Sequence, residues 1–188
     1  MKKSTAILLL SAGIFTAKYS SAQTTATSST STSTGTSAIA NDTAAVNFIT
    51  QATLGNMKEI ETGKLAVKKA KKASVKTFGA RMIADHTKAT ADMQKVLSSK
   101  QFTAPTPSPA DAAPDAMLTS ATGTEFDKNY ITMMMMDHVK TVQVFQNAIA
   151  NVQDPDLKAF AVKTLPVIQE HLRMDKAIAK ELNIKTDM

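Results

Sequence analysis

The chain contains three histidines, and their placement is its first chemical signal. His86, His138 and His171 each fall on the apolar stripe of a different stretch with helical periodicity. Glu59 lies on the inward stripe of a fourth such stretch. Neutral imidazoles with a carboxylate suit divalent Zn, Fe, Ni or Cu. The sequence therefore predicts a metal site formed by His86, His138, His171 and Glu59, with Fe, Zn or Cu as the favoured ion.

Each histidine directly follows an acidic residue. Neighbouring residues of a helix point about 100° apart, so these acids do not face their own histidine directly and can face adjacent helices, as supporting partners or as further ligands. Asp175 lies one turn beyond His171 and can reach the same layer, whereas Glu61 lies about 200° around the helix from Glu59, on a flank. The residues expected to support or flank the site are Glu61, Asp85, Asp137, Glu170 and Asp175.

A metal-free polar layer is the alternative interpretation of the same residues. Three histidines and a glutamate at one depth can form a hydrogen-bonded network that fixes the register of the helices. The sequence offers no candidate catalytic residue and no organic-cofactor motif, since it lacks a phosphate loop, a serine nucleophile elbow, a dinucleotide glycine pattern and a zincin motif. The absence of cysteine excludes thiolate catalysis and thiolate metal sites. A binding or structural protein is therefore favoured over an enzyme.

Apolar periodicity predicts four long helices that position these side chains. Asn41 or Asp42 is expected to cap the first helix and Ser74 the second, and Thr124 with Asp127 resembles a capping box for the third. Each histidine lies within about three residues of the middle of its helix, so the imidazoles are expected at one level of the core. The predicted helices span residues 41–70, 74–99, 124–152 and 155–182, the last capped by Asp154 before Pro155.

The connections between the helices differ in length. The first and last connections are a few residues long, which predicts two antiparallel hairpins. Residues 100–122 contain four prolines, and an extended chain of this length can run along the whole bundle. The predicted fold is therefore all-α, a ferritin-like four-helix bundle of two antiparallel hairpins joined by a long Pro-rich crossover. An up-down-up-down bundle with a long loop is the alternative.

The N-terminal segment has the order of a secretory signal: two lysines, an apolar run at 5–17 and small residues before Gln23. The run of 13 residues is shorter than the roughly 20 needed to span a bilayer. We therefore expect cleavage after Ala22 and a periplasmic or secreted protein, with an uncleaved anchor as the alternative. The expected organisation is a signal peptide at 1–22, a disordered Ser/Thr-rich tether at 23–40, the bundle at 41–183 and a tail at 184–188.

The charge of the chain limits its partners. The formal net charge is +6, but after removal of the predicted signal 19 basic residues face 16 acidic ones. This bias is too weak to predict nucleic-acid binding. No segment of the mature chain is apolar enough to span a membrane. An envelope partner would contact the lysine-rich stretch at 64–76 or the crossover, and the pattern leaves the oligomeric state open.

Four segments of the chain carry a family resemblance. They are 61–66 (ETGKLA), 78–82 (FGARM) with Asp85-His86, 123–130 (GTEFDKNY) with His138, and 165–168 (LPVI) with His171-Leu172. Together they resemble the secreted bacterial family called domain of unknown function 4142, often labelled outer membrane proteins, over residues 42–180. The resemblance implies a ferritin-like four-helix bundle in an exported bacterial protein and implies no activity.

The wider ferritin-like group includes di-iron proteins that carry Glu-x-x-His pairs on two helices. The residues three positions before the histidines here are Ile83, Met135 and Ile168. Because this departs from the di-iron pattern, a mononuclear or labile site is expected instead.

Overall fold

The computed structural model describes residues 38–185, and every regular element within them is helical. A single 3-10 turn at Ala38–Asn41 precedes five α-helices. They are α1 (Thr43–Lys69), α2 (Ala73–Ser99), α3 (Ala116–Ser120), α4 (Gly123–Asn151) and α5 (Pro155–Glu181). The predicted all-α class is confirmed. The predicted signal peptide, residues 23–37 of the predicted tether and residues 186–188 of the tail lie outside the described residues.

The four long helices form a helical bundle whose core has two clusters. The first cluster, here called the packed half, contains the end of α1, the start of α2, the start of α4 and the end of α5. Its buried residues include Ala66, Phe78, Tyr130 and Ile178. The opposite cluster, here called the cavity half, joins the other ends of the same helices. Its buried residues include Ile39, Phe48, Ile49, Leu97, Phe145, Leu157 and Phe160.

This grouping gives the direction of every long helix. The helices of each hairpin, α1 with α2 and α4 with α5, run antiparallel and pack on each other. Since α2 and α4 both begin in the packed half, they run parallel. Residues 100–122 must therefore travel from the cavity half to the packed half, where Leu118 of α3 is buried.

Two helix starts have the local caps that their sequences predict. Asp154 Oδ1 accepts hydrogen bonds of 3.0 Å from the backbone N–H groups of Asp156 and Leu157, with Pro155 as the first residue of α5. Asp42 Oδ1 accepts from Ala45 N at 3.0 Å at the start of α1. Such side chains satisfy N–H groups that have no partner inside the helix.

The other two predicted caps are wrong. The N-caps of α2 and α4 are Lys72 and Thr122, and neither makes a side-chain capping bond. Asp127 is fully buried and accepts hydrogen bonds of 2.9 Å from the backbone N–H groups of Lys71 and Lys72. The carboxylate expected to cap its own helix therefore caps the start of α2, because the packed half brings the two helix starts together.

Within the described residues, the packed structure begins before residue 41, the predicted start of the bundle. Ile39 of the 3-10 turn is 1% exposed and belongs to the cavity half. Residues 38–40, expected as the end of the tether, are therefore part of the packed structure.

Over residues 38–185, none of the helices is both long and apolar enough to cross a membrane.

Candidate metal centre

The three histidines lie together in the middle of the bundle. His86 is contributed by α2, His138 by α4 and His171 by α5, and their exposed fractions are 5%, 0% and 1%. Their ring centroids are 5.2–6.3 Å apart. One ring nitrogen of each lies within 4.8 Å of the others. The inward faces of α2, α4 and α5 therefore meet at one level of the bundle, between the packed half and the cavity half.

One nitrogen of each imidazole donates a hydrogen bond to an oxygen on a neighbouring helix. The pairs are His86 Nδ1 to Asn56 Oδ1 at 2.8 Å, His138 Nδ1 to Asp175 Oδ2 at 2.6 Å and His171 Nε2 to Asp85 Oδ2 at 2.8 Å. A neutral imidazole that donates from one nitrogen carries a lone pair on the other. These bonds therefore select the tautomers of the neutral rings, in which Nε2 of His86, Nε2 of His138 and Nδ1 of His171 are the acceptors.

The remaining nitrogens meet Glu59 of α1. Glu59 Oε2 lies 2.6 Å from His86 Nε2 and 3.2 Å from His138 Nε2. Neither contact has hydrogen-bond geometry, and within residues 38–185 both of these nitrogens, His171 Nδ1 and Glu59 Oε2 are buried without a hydrogen-bond partner. Each such atom costs about 1–3 kcal/mol. Glu59 Oε2 and the two nitrogens that it contacts require a cation or a proton between them.

The pKa values follow from burial and from the neighbouring charges. Burial acts to raise the pKa of Glu59, but His86 and His138 together hold it well below its usual range. Burial acts to lower the pKa of His138, and the carboxylates of Glu59 and Asp175 outweigh it and raise this pKa to about 10. Burial lowers the pKa of His171 to about 4 and raises that of Asp175 to about 6. The layer therefore favours a positive charge between Glu59 and Asp175.

The predicted supporting acids fall into three groups. Asp85 and Asp175 each accept a hydrogen bond from a histidine of another helix. Glu61 pairs with Lys64 at 2.7 Å and Glu170 pairs with Arg173 at 2.6 Å, both along their own helix and facing solvent. Asp137 is half-buried beside the layer, where burial raises its pKa.

Two residues of the layer were absent from the predicted site. Asn56 holds the ring of His86, and its signal in the sequence is a polar side chain on the inward stripe of α1, one turn before Glu59. Tyr130 is fully buried, with its ring 6.3 Å from that of Phe78, and its hydroxyl has no hydrogen-bond partner among the described residues. Both lie on apolar stripes, so periodicity alone assigns them to the core.

A cavity of about 430 Å³ lies next to the layer, and residues of all four long helices line it. Glu59, His86 and His171 form part of its wall, as do Phe145 and Ile168 of the cavity half. On the opposite side of the layer, Phe78 of the packed half places its ring edge-on to His138 and His171, at 6.3 and 6.5 Å. The layer is therefore closed on one side and borders open space on the other.

Comparison with known proteins adds a family and a fold. The model of the family described as domain of unknown function (DUF4142) matches residues 21–178. No curated protein matches the chain. A crystal structure of a Streptomyces coelicolor protein described as secreted protein DUF305 aligns with a TM-score of 0.67 and 14% identity, over 79% of this chain and 98% of that one. At this identity the likeness concerns the fold alone. The family match covers most of the sequence, and the chain belongs to the DUF4142 family.

Proposed function

We propose that this protein binds one divalent metal ion through His86, His138, His171 and Glu59, and serves metal handling or stress protection outside the cytoplasm. One observation carries the proposal. One nitrogen of each of the three buried imidazoles lies within 4.8 Å of the others, and three ring nitrogens of this layer and Glu59 Oε2 have no hydrogen-bond partner in the described chain. Natural proteins rarely leave one such atom unsatisfied, and a metal ion would satisfy all four.

The outer hydrogen bonds of the histidines support the same proposal. Histidines that bind metals usually donate their other N–H to a carboxylate or a carbonyl, which fixes the tautomer and the orientation of the ring. Here Asp175, Asp85 and the amide oxygen of Asn56 occupy these positions. A buried histidine whose role is packing has no need for a ring nitrogen within 4.8 Å of two other imidazoles.

The ligand set favours a borderline first-row ion such as Zn²⁺, Fe²⁺ or Cu²⁺. Bonds of about 2.0–2.1 Å place the ligand atoms of a tetrahedral ion roughly 3.3 Å apart. Glu59 Oε2 is 2.6 and 3.2 Å from Nε2 of His86 and of His138, and one nitrogen of each imidazole lies within 4.8 Å of the others. Side-chain adjustments would bring the three imidazoles onto one ion, with Glu59 approaching from the side of His86 and His138.

The fold and the location belong to the same proposal. In ferritin-like bundles, two antiparallel hairpins are joined by a connection that runs the length of the bundle. The parallel directions of α2 and α4 support this arrangement here. The signal-like first 22 residues and the likeness to a secreted protein support export to the periplasm or beyond. We place the folded domain at residues 38–183 and assign it binding rather than catalysis.

A metal-free structural layer is the second candidate, and the hydrogen bonds between helices favour it. His86 connects α2 to α1, His138 connects α4 to α5, and His171 connects α5 to α2. Such a network can fix helix register without an ion, with the function on the surface. In that case a proton would take the place of the cation between Glu59 and His138.

Elemental analysis and histidine NMR separate the two candidates. Residues 23–188, purified without a histidine tag, contain only the three layer histidines, so three imidazoles appear in a spectrum of ¹⁵N-histidine-labelled protein. We expect about one metal per chain. On metal addition, shifts are expected at two Nε2 atoms and one Nδ1 atom, together with a rise in Tm.

Glu59→Gln and Glu61→Gln form a matched pair of variants two residues apart. Glu59→Gln is expected to weaken metal binding by at least about tenfold, since supporting residues alone are typically worth 10–100-fold. Glu61→Gln is expected to leave binding unchanged, because that side chain pairs with Lys64 at the surface. Absence of metal, with no stabilisation by Fe²⁺, Zn²⁺ or Cu²⁺, would reject the metal proposal in favour of the structural layer.

A further inference from the structure

We propose that the cavity beside the histidine layer binds a small organic anion, a monocarboxylate with an apolar tail, whose carboxylate takes a further coordination position on the metal. This inference rests on the proposed metal site and names the class of ligand that the site accepts. Its support is the space, the access, the charge and the apolar wall of the cavity.

The space results from small side chains on the helix faces that line it. The cavity of about 430 Å³ falls in the range of small-molecule sites, roughly 300–1,000 Å³. A Cβ atom on Gly55 would meet no atom within 4 Å. The other small lining residues are Ala52, Ala89, Thr141 and Thr164.

The cavity gives access to the proposed ion. Glu59, His86 and His171 line it, and each is at least nine-tenths buried and carries a polar atom without a hydrogen-bond partner in the described chain. First-row ions that take five or six ligands would keep a position beyond the four protein atoms. That position would face the cavity, since Phe78 closes the other side of the layer.

The charge of the lining favours an anion once the metal is bound. Four lysines, one from each long helix, balance four carboxylates on the wall: Lys58, Lys88, Lys140 and Lys163 against Glu59, Asp85, Asp92 and Asp137. A divalent ion held by neutral imidazoles would add two positive charges to this balance. Lys88 and Lys163 pair with Asp92, whereas Lys58 and Lys140 make no ion pair within residues 38–185.

The wall away from the ion favours an apolar tail. Leu54, Val144, Phe145 and Ile168 line the cavity and connect it to the core of the cavity half. An inorganic anion would leave this part of the space unfilled. A carboxylate with a short alkyl chain would meet the ion at one end and apolar side chains at the other.

Titration of the Co²⁺-loaded protein, residues 23–188, with acetate, butyrate and hexanoate tests the inference. The visible absorption of Co²⁺ reports a change of coordination at the ion. Affinity is expected to rise about fourfold for each added CH₂ group, which corresponds to about 0.8 kcal/mol per buried CH₂. Binding to an ion with no cavity beside it would not depend on chain length.

Gly55→Leu and Gly55→Ala provide a matched pair for the cavity. Both replace a helix-interior glycine, which favours folding. The alanine adds only a Cβ, whereas the leucine fills space next to the layer. Gly55→Leu is expected to weaken hexanoate binding at least tenfold while Co²⁺ affinity is retained, and Gly55→Ala is expected to leave both affinities near those of the wild type. Ala89→Leu, on α2, repeats the test from another wall of the cavity.

The outcomes distinguish this inference from the metal proposal. If the wild type binds Co²⁺ but no carboxylate changes its spectrum, the anion site is wrong and the metal site stands. Equal affinities for the three carboxylates, or hexanoate binding unaffected by both leucine variants, would also overturn the anion site. If the wild type binds no Co²⁺, Fe²⁺, Zn²⁺ or Cu²⁺, both proposals fail together.

Discussion

The two halves of the bundle use glycine in opposite ways. In the packed half, a Cβ on Gly63 would lie 2.8 Å from the carbonyl oxygen of Gly79, and a Cβ on Gly79 would lie 2.7 Å from the Cβ of Ala66. These glycines let α1 and α2 approach closely. In the cavity half, a Cβ on Gly55 meets nothing. Two turns of α1 separate Gly55 from Gly63, so one helix changes from loose to tight contact across the histidine layer.

This difference indicates that the two halves of the bundle have different roles at the histidine layer. The packed half supplies a rigid support for one side of the histidines, with Phe78 against two of the rings. The cavity half leaves space beside the same rings. A site that must hold an ion and admit a ligand needs both, because precise ligand placement requires packing and exchange requires access. Variants on the two sides of the layer should therefore behave differently.

The largest expected difference concerns side chains on the two sides of the layer. Phe78→Ala should lower the free energy of unfolding by about 3–5 kcal/mol, as for other buried phenylalanines, because the packed half has little room to collapse. Val144→Ala, at the wall of the cavity, should cost less than about 1 kcal/mol, since fewer contacts are lost. Urea unfolding measures both values. Similar costs for the two variants would contradict the distinction between the halves.

The next effect concerns the carboxylates that cap the two ends of the bundle. Asp127→Ala should cost about 1–3 kcal/mol, because the backbone N–H groups of Lys71 and Lys72, just before α2, lose a buried acceptor. Asp42→Ala, at the end of the cavity half, should cost about 1 kcal/mol, which is typical of an N-cap. Thermal unfolding of both variants, with Thr124→Ala as a control, checks the order; a larger loss for Thr124 would restore the capping-box interpretation.

The glycines themselves should respond with opposite sign. Gly79→Ala should be destabilising by about 1 kcal/mol, since the new Cβ overlaps Ala66 and the strain exceeds the gain in helix propensity. Gly55→Ala should be stabilising by about 0.5–1 kcal/mol, because it adds helix propensity without a clash. Denaturation midpoints of the two single variants decide this. Stabilisation by both would mean that the approach of α1 and α2 is not limiting.

The smallest expected effect is a pH dependence at the end of the cavity half. Although some burial acts against it, hydrogen bonds from Leu157 N and from Lys100 lower the pKa of Asp154. A carboxylate with a lowered folded pKa contributes stability above its unfolded pKa, about 3.9, and loses it as the pH falls through the folded pKa. Asp154→Asn should therefore flatten the decline in stability below about pH 4. An unchanged slope would show that Asp154 is not a source of this decline.

Periodicity along the chain predicted most of the layer. His86, His138 and His171 were placed at one level because each lies near the middle of an amphipathic helix, and helices of similar length align their midpoints. The cap at Asp154 was equally predictable, since the backbone N–H groups that donate to it are two and three residues away. Asp127 was assigned the wrong partner because the N–H groups it binds are 55 and 56 residues distant. Sequence patterns within one helix carry no information about contacts between residues that are so far apart in the chain.

The amino-acid sequence by itself determined the all-α class, the helices and the side chains that face inward, because these depend on spacing within one helix. Only the tertiary structure decided which nitrogen of each imidazole donates to a neighbouring helix, that Asn56 holds His86 and Asp85 holds His171, and that a cavity lies on one side of the layer alone. These features depend on the rotation and separation of helices from distant parts of the chain. The sequence alone does not distinguish a glycine that lets two helices approach closely, such as Gly63, from one that leaves empty space, such as Gly55.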